Sequence, residues 1–179
     1  MENLEWFPMR VTYHRELKMK SFFDSLGIES FVPMRYDVVE TKEGRRRMLV
    51  SAIHNLIFVH STRETLTHLK MTRKEFEPLR YMMNKSRSGD TPKSILRVPD
   101  KEMEDFIRVA SSLDESIMYL DYKDFIGKEG KRVRIEEGTF AGVEGVIKRI
   151  KKNKHVVVQI EGVAAIAIAF VPSKYLSIL

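Results

Sequence analysis

Residues 130–149 read Gly-Lys-Arg-Val-Arg-Ile-Glu-Glu-Gly-Thr-Phe-Ala-Gly-Val-Glu-Gly-Val-Ile-Lys-Arg, and this spacing of glycines among β-branched residues restricts the segment to a tight-cornered hairpin. Val133 and Ile135 alternate as a strand does, and Gly138 and Gly142 punctuate a connection around Phe140. Gly145 then sits where a second strand begins, a place that needs either an unusual φ or a backbone approach that a Cβ would obstruct. The pattern continues through Val143–Ile150, a basic turn at Lys151–Lys154 and a β-branched run at Val156–Ile160. Beyond Gly162, Ile166, Ile168 and Phe170 share one strand face, with small alanines on the other, and Tyr175–Leu179 closes the edge. About five short strands in residues 127–179 predict a small SH3-like β-barrel.

The amino-terminal part follows a different rhythm. Trp6–Val11 reads as a strand, while Met19, Phe22, Phe23 and Leu26 recur at helical spacing from about Arg15 until Gly27 ends the helix. Ile28–Met34 predicts a second strand, and Asp37–Thr41 with Met48–Ala52 the arms of a hairpin whose tip is Lys42–Arg47. Leu56–Val59 is an apolar run suited to an inner strand. Ser61–Glu64 matches a capping box for a helix through Leu66 and Leu69, and Leu79–Met83 predicts a further strand. Residues 84–94 read as a polar surface loop. Pro99–Asp100 opens a helix with Glu102, Glu104 and Asp105 near its positive end and Met103, Phe106, Ile107 and Val109–Ala110 as its buried stripe. The prediction is an α+β unit over residues 1–113, a linker at 114–126 and the barrel at 127–179.

Composition narrows the classes further. There is no cysteine, so disulfides, thiolate metal sites and cysteine nucleophiles are excluded by residue type. No apolar run approaches the ~20 residues of a membrane span, and the acidic start Met1–Trp6 lacks a signal-peptide pattern, which together predict a cytoplasmic protein without a membrane partner. The net charge of +6 is uneven: residues 127–179 carry 10 Lys+Arg against 5 Asp+Glu, and residues 1–126 carry 21 against 20. That excess suits RNA, DNA or acidic proteins, and is also common in proteins that bind no nucleic acid. His14, His54, His60, His68 and His155 form no sequence-local metal pattern, and no nucleophile motif or phosphate loop is present. No metal, no cofactor and no catalytic residue is therefore expected.

The Gly130–Arg149 segment resembles a KOW motif, carried by Val133, Ile135, Gly138, Phe140, Gly142 and Gly145. The order of the two units resembles the NusG family of transcription elongation factors, in which a ferredoxin-like or RNA-recognition-motif-like NusG domain precedes a KOW domain. Trp6-Phe7, Arg10–Tyr13 and Glu16–Lys18 are similar to that family's opening strand and helix, and Phe31–Met34 to its second strand. These details and the tail Glu161–Pro172 look closest to UpxY-like specialised antiterminators, which act on capsular-polysaccharide operons. Ile53–Val59 departs from the family: Asn55, Phe58 and Val59 match specialised members, but the usual proline and tyrosine are absent, with Leu56 in the aromatic position. The resemblance implies a non-enzymatic, operon-specific antitermination or elongation factor that binds the RNA polymerase clamp and suppresses pausing or termination. The alternative class is a KOW-type RNA-binding or ribosome-associated protein.

Candidate sites carry two readings each. Apolar strand residues are core more often than interface, so Trp6, Tyr13, Leu56 and Phe58 by residue type fit the sheet core. The resemblance assigns Trp6, Tyr13, Ile53, Leu56 and Phe58 to polymerase docking, with Tyr13 and Leu56 foremost. Arg15, Lys18, Arg45, Arg46 and Arg47 suit nontemplate DNA or nascent RNA, because phosphate contact needs only charge and reach, and they equally suit a solvated surface. The lysines of Lys148–Lys154 suit edge protection better than RNA, having no aromatic platform among them. Phe140, Ile166, Ile168 and Phe170 are the expected KOW surface for a ribosomal protein or termination factor.

Overall fold

The computed structural model of the chain describes residues 3–84, 93–121 and 130–179. Of the polar loop predicted at 84–94, residues 85–92 lie outside the described residues, as do residues 122–129, which include the end of the expected linker. The chain is mixed α+β and divides by packing into two compact units, Met1–Pro33 with Ser51–Asp100, and Met34–Val50 with Lys101–Leu179.

The first unit is built on a four-stranded antiparallel sheet. Its strands are β1 (Glu5–Val11), β2 (Ser30–Phe31), β5 (Leu56–Ser61) and β6 (Leu79–Tyr81), in the order β2-β5-β1-β6. β1 is central and pairs with β5 from Glu5↔Ser61 to Arg10↔Leu56. Pro8 is tolerated in this strand at the cost of a ladder donor. Strand alternation puts Phe7, Met9 and Val11 on one face and Trp6 and Pro8 on the other, and all five are buried. Helix α1 (Glu16–Ser25) buries Met19 and Phe23, and Phe23 meets Phe76 with ring centroids 5.0 Å apart.

Helix α2 (Arg63–Thr72) starts one residue later than the capping box predicts. Ser61 is the last residue of β5, paired with Glu5 and buried, so its hydroxyl is not the cap. Thr62 is: its Oγ1 accepts from Thr65 N at 3.1 Å. The second strand is also shorter than predicted, because Met34 belongs to the hairpin that follows.

The second unit contains that hairpin, β3 (Met34–Thr41) with β4 (Gly44–Ser51), as a separate two-stranded sheet. The turn is only Lys42–Glu43, with Gly44 at φ +110° immediately after it, a conformation β-carbons disfavour. Arg45, Arg46 and Arg47 therefore lie along β4 and not in the tip, a correction to the sequence expectation. The short turn is stabilised by Thr41, whose Oγ1 donates to Gly44 O at 2.8 Å and accepts from Glu43 N at 3.3 Å.

Helix α3 (Asp100–Ser111) buries Met103, Phe106, Val109 and Ala110. The remaining strands form a six-stranded antiparallel sheet: β7 (Met118–Leu120), β8 (Arg132–Ile135), β9 (Glu144–Ile150), β10 (Asn153–Ile160), β11 (Ala164–Ile168) and β12 (Leu176–Ile178), in the order β12-β8-β9-β10-β11-β7. β7 falls inside the stretch expected as linker and pairs with β11 at Ala165↔Leu120 and Ala167↔Met118. The alanines of β11 explain the site: with Val157 they form a buried cluster whose small side chains admit Met118, Leu120 and Ile150. By packing, the β3–β4 hairpin and α3 group with strands β7 to β12.

The glycine-spaced segment supplies β8, the loop after it and the start of β9. Val133 and Ile135 are buried, and Ile135 closes the loop by donating to Val143 O at 2.9 Å and accepting from Gly142 N at 2.6 Å. Gly130 and Gly145 are positions of close approach: a Cβ on Gly130 would lie 2.3 Å from Ile147 O, and one on Gly145 2.8 Å from Val157 O and 2.8 Å from Val156 Cγ1.

Candidate functional site

In the first unit, the connection from β1 to α1 makes an exposed corner. Tyr13 and His14 both adopt left-handed backbone conformations, at φ 61° and 50°. Asn55, itself left-handed at φ 60°, holds the corner from the turn before β5. Its backbone carbonyl accepts from Val11 N at 3.0 Å, and its side-chain Oδ1 accepts from His14 N at 2.9 Å. Asparagine is among the few side chains that visit this conformation readily, which accounts for the residue type here.

The result is that Tyr13 projects outward, 80% exposed. The Arg15 guanidinium lies 5.4 Å from its ring centroid, and Lys18 lies 5.9 Å from the Phe22 ring one turn along α1. These four residues line a groove of about 670 Å³ together with Lys74 and Arg80. An exposed aromatic ring among cations can stack on a base, seat on an apolar protein surface or pair with phosphate neighbours.

The other residues expected at a docking surface are placed differently. Leu56 is 2% exposed, Phe58 is fully buried, and Trp6 is buried with its ring stacked on His60 at a centroid distance of 4.7 Å. Ile53 is half-buried. Tyr13 is thus the one large exposed ring of that set, and Leu56, Phe58 and Trp6 serve as core in this conformation.

The same corner brings together residues that showed no pattern in the sequence. His14, the buried Glu16 at the start of α1 and the exposed His54 converge, with potential ligand atoms all within 4.8 Å of one another. His54 Nδ1 is 3.8 Å from Glu16 Oε1, and the two imidazole rings meet edge-on at 4.9 Å. Glu16 Oε2 is buried without a hydrogen-bond partner. Sequence spacing missed this group because His54 arrives from a turn forty residues away.

In the second unit, the β4 arginines are not free charges. Arg45 pairs with Glu40 at 3.2 Å and Arg46 with Glu43. Arg47 pairs with Glu115 and lies 4.3 Å from the Tyr36 ring centroid. Phosphate contact there requires exchange of carboxylate partners. At the base of this hairpin, Tyr119 donates to Met34 O at 3.3 Å. Burial pushes the Tyr119 hydroxyl up to about 12, against a weaker opposing effect of Arg35. Tyr119, Tyr36, Arg47, Glu115 and Lys148 line a cavity of about 850 Å³.

The loop between β8 and β9 is held by α3. Asp105 Oδ2 accepts from Glu144 N at 3.1 Å, Lys101 Nζ donates to Gly142 O at 3.0 Å, and Arg108 donates to Thr139 O at 3.1 Å and to Ala141 O. Of the expected partner-binding residues, Phe140, Ile166 and Ile168 are buried, whereas Phe170 is 89% exposed at φ 59° just past the end of β11. The reading of Ile166 and Ile168 as one strand face holds, but that face is packed, and Phe170 stands apart from it.

Glu144 anchors the outer side of this loop. The Arg134 hydrogen bond at 2.8 Å holds its carboxyl below the usual carboxylate range, assisted by Lys101 and Arg132.

Among the described residues, no helix is long and apolar enough to cross a membrane. A family profile described as transcription termination factor NusG matches residues 4–107. A solved structure of NusG from Thermotoga maritima, described as concerning domain interaction, is similar with a TM-score of 0.43 at 19% identity, covering 93% of this chain and 94% of that one. No curated protein matches the sequence.

Proposed function

Because the chain belongs to the NusG family of non-enzymatic transcription factors, whose members bind RNA polymerase, we propose that it is an operon-specific antitermination or elongation factor. In this reading the amino-terminal domain, residues 1–113, binds the clamp of RNA polymerase, and the KOW domain, residues 127–179, recruits a ribosomal protein or termination factor. The sheet order β2-β5-β1-β6 with one helix after β1 and one after β5 favours a ferredoxin-like first domain. The strands β8 to β12 favour an SH3-like KOW barrel.

The observation that carries the reading, beyond the family match, is the exposed Tyr13 corner. Tyr13 supplies apolar area and a hydroxyl, both usable at a protein interface, and Arg15 and Lys18 add charge beside it that suits the phosphates of nontemplate DNA or nascent RNA. Binding the processive polymerase more tightly than the paused one shifts the population toward elongation, which is the physical content of antitermination. Tethering the KOW domain to the same polymerase raises its effective concentration near a second partner. The likeness of Asn55, Phe58, Val59 and the Glu161–Pro172 tail to UpxY-like proteins points to capsular-polysaccharide operons as the class of target.

The test is pull-down of the full chain from cell lysate, scored for polymerase subunits against ribosomal RNA. Tyr13→Ala is the informative variant, because its side chain is exposed, whereas Leu56→Asp would place a charge in the core. Polymerase capture that is lost in Tyr13→Ala supports the reading. Ribosomal RNA without polymerase would replace it by the RNA-binding alternative, and unchanged polymerase capture by Tyr13→Ala would move the footprint elsewhere.

A further inference from the structure

We propose that His14, Glu16 and His54 form a binding site for a divalent transition-metal ion of the zinc class. Two imidazoles and one carboxylate are a donor set that suits zinc, with a fourth position left to water. Imidazole donors disfavour magnesium and calcium, which take oxygen ligands.

The geometry supports more than proximity. Bonds to zinc of about 2.0–2.2 Å put neighbouring donors roughly 3.3–3.5 Å apart in a tetrahedral site. The three donors here lie within 4.8 Å, so closing on an ion needs a contraction of about an ångström. His54 is free to make it, since its side chain is 67% exposed. Glu16 is already in position: its side chain is 3% exposed, and Oε2 has no hydrogen-bond partner. A buried carboxylate oxygen normally has a partner, and leaving one unpaired is costly. A cation shared with two histidines removes that deficit.

The supporting frame fits a ligand role as well. His14 N donates to Asn55 Oδ1 at 2.9 Å, so the backbone carrying one histidine is tied to the turn carrying the other. His60 and His155 are engaged elsewhere, His60 with Glu29 at 2.8 Å and His155 with Asn153 O at 3.1 Å. A bound ion would cross-link the β1–α1 corner to the turn before β5 and fix the backbone on which Tyr13 stands.

The experiment uses the full chain, stripped with chelator, titrated with zinc chloride by calorimetry and with cobalt chloride by visible absorption. Imidazole proton signals are followed by NMR in parallel. One ion per chain is expected, with intense cobalt bands of low-coordinate geometry and shifts confined to His14 and His54. His54→Ala, an exposed substitution that leaves the core alone, is expected to weaken zinc binding by about tenfold or more, as is Glu16→Gln. His68→Ala is expected to bind as the unaltered chain does. Absence of stoichiometric binding, or His54→Ala binding with unchanged affinity, would overturn the site, as would zinc-dependent shifts at His60, His68 or His155 in place of His14 and His54.

Discussion

Replacing Gly145 by alanine tests whether the glycine spacing that dominates the sequence is a packing requirement. The added Cβ would sit 2.8 Å from the carbonyl oxygen of Val157 and 2.8 Å from Val156 Cγ1, on the adjacent strand β10. Ordinary contact begins near 3.4 Å, so β9 and β10 must separate locally by about half an ångström or the Val156 side chain must move. Moving the side chain does not relieve the contact with the backbone oxygen, and β10 is itself held on its far side by β11 through Val156↔Ile168 to Ile160↔Ala164. The strain is therefore not local to one rotamer. Overpacking of this kind costs about 1–3 kcal/mol. For a unit of this size each kcal/mol lowers Tm by about 4–8 °C. Calorimetry of Gly145→Ala is expected to show a fall of order 10 °C in the transition that includes the six-stranded sheet. Amide exchange should be faster across β9 and β10, with β1 and β5 unchanged. A Tm within about 1 °C of the unaltered protein, with β9 protection intact, would refute the close-approach argument.

Other outcomes follow from the same geometry. Asp105→Ala removes the acceptor for Glu144 N and the partner of Lys101, and urea unfolding should show a loss of about 2–3 kcal/mol, the cost of hydrogen bonds to a charged group. Thr62→Ala removes the cap of α2 and should cost about 1 kcal/mol by the same assay, whereas Ser61→Ala should not act through the cap. Tyr119 titrates above its ordinary value, so its contribution to stability is complete below pH 10 and is lost as the pH rises toward 12. Alkaline unfolding followed by circular dichroism should therefore show a stability decline through that window that Tyr119→Phe flattens. Glu144 has its pKa lowered, so the stability it contributes is present above about pH 4.5 and falls away in acid, and Glu144→Gln should shallow that limb.

Much of the element inventory is legible from pattern. The helical stripe ending at Gly27, the apolar run of β5 and the alternation of Val133 and Ile135 each report a constraint that operates over a few neighbouring residues. Errors cluster where two local rules compete. Ser61 satisfies the capping pattern, but ladder pairing with Glu5 takes it into β5 and hands the cap to Thr62. Arg45–Arg47 satisfy a polar-turn pattern, but the positive φ of Gly44 closes the turn two residues early and sends the arginines along β4. β7 was hidden because three residues of weak periodicity form a strand only when β11 offers an edge lined with alanines.

The candidate sites divide the same way. The family resemblance brought forward Tyr13, and charge and reach brought forward Arg15 and Lys18; all three sit together at one exposed corner. It could not distinguish Leu56 and Phe58 as interface from Leu56 and Phe58 as core, since an apolar strand residue looks the same in either role until its neighbours are known. By itself the sequence determined the family, the period of each long element and a glycine at a close contact between β9 and β10, because these depend on local backbone geometry. Only the tertiary structure decided which aromatic is exposed, which arginines are already paired and that His14, Glu16 and His54 meet, because burial and convergence depend on chain segments that are distant in sequence and adjacent only after folding.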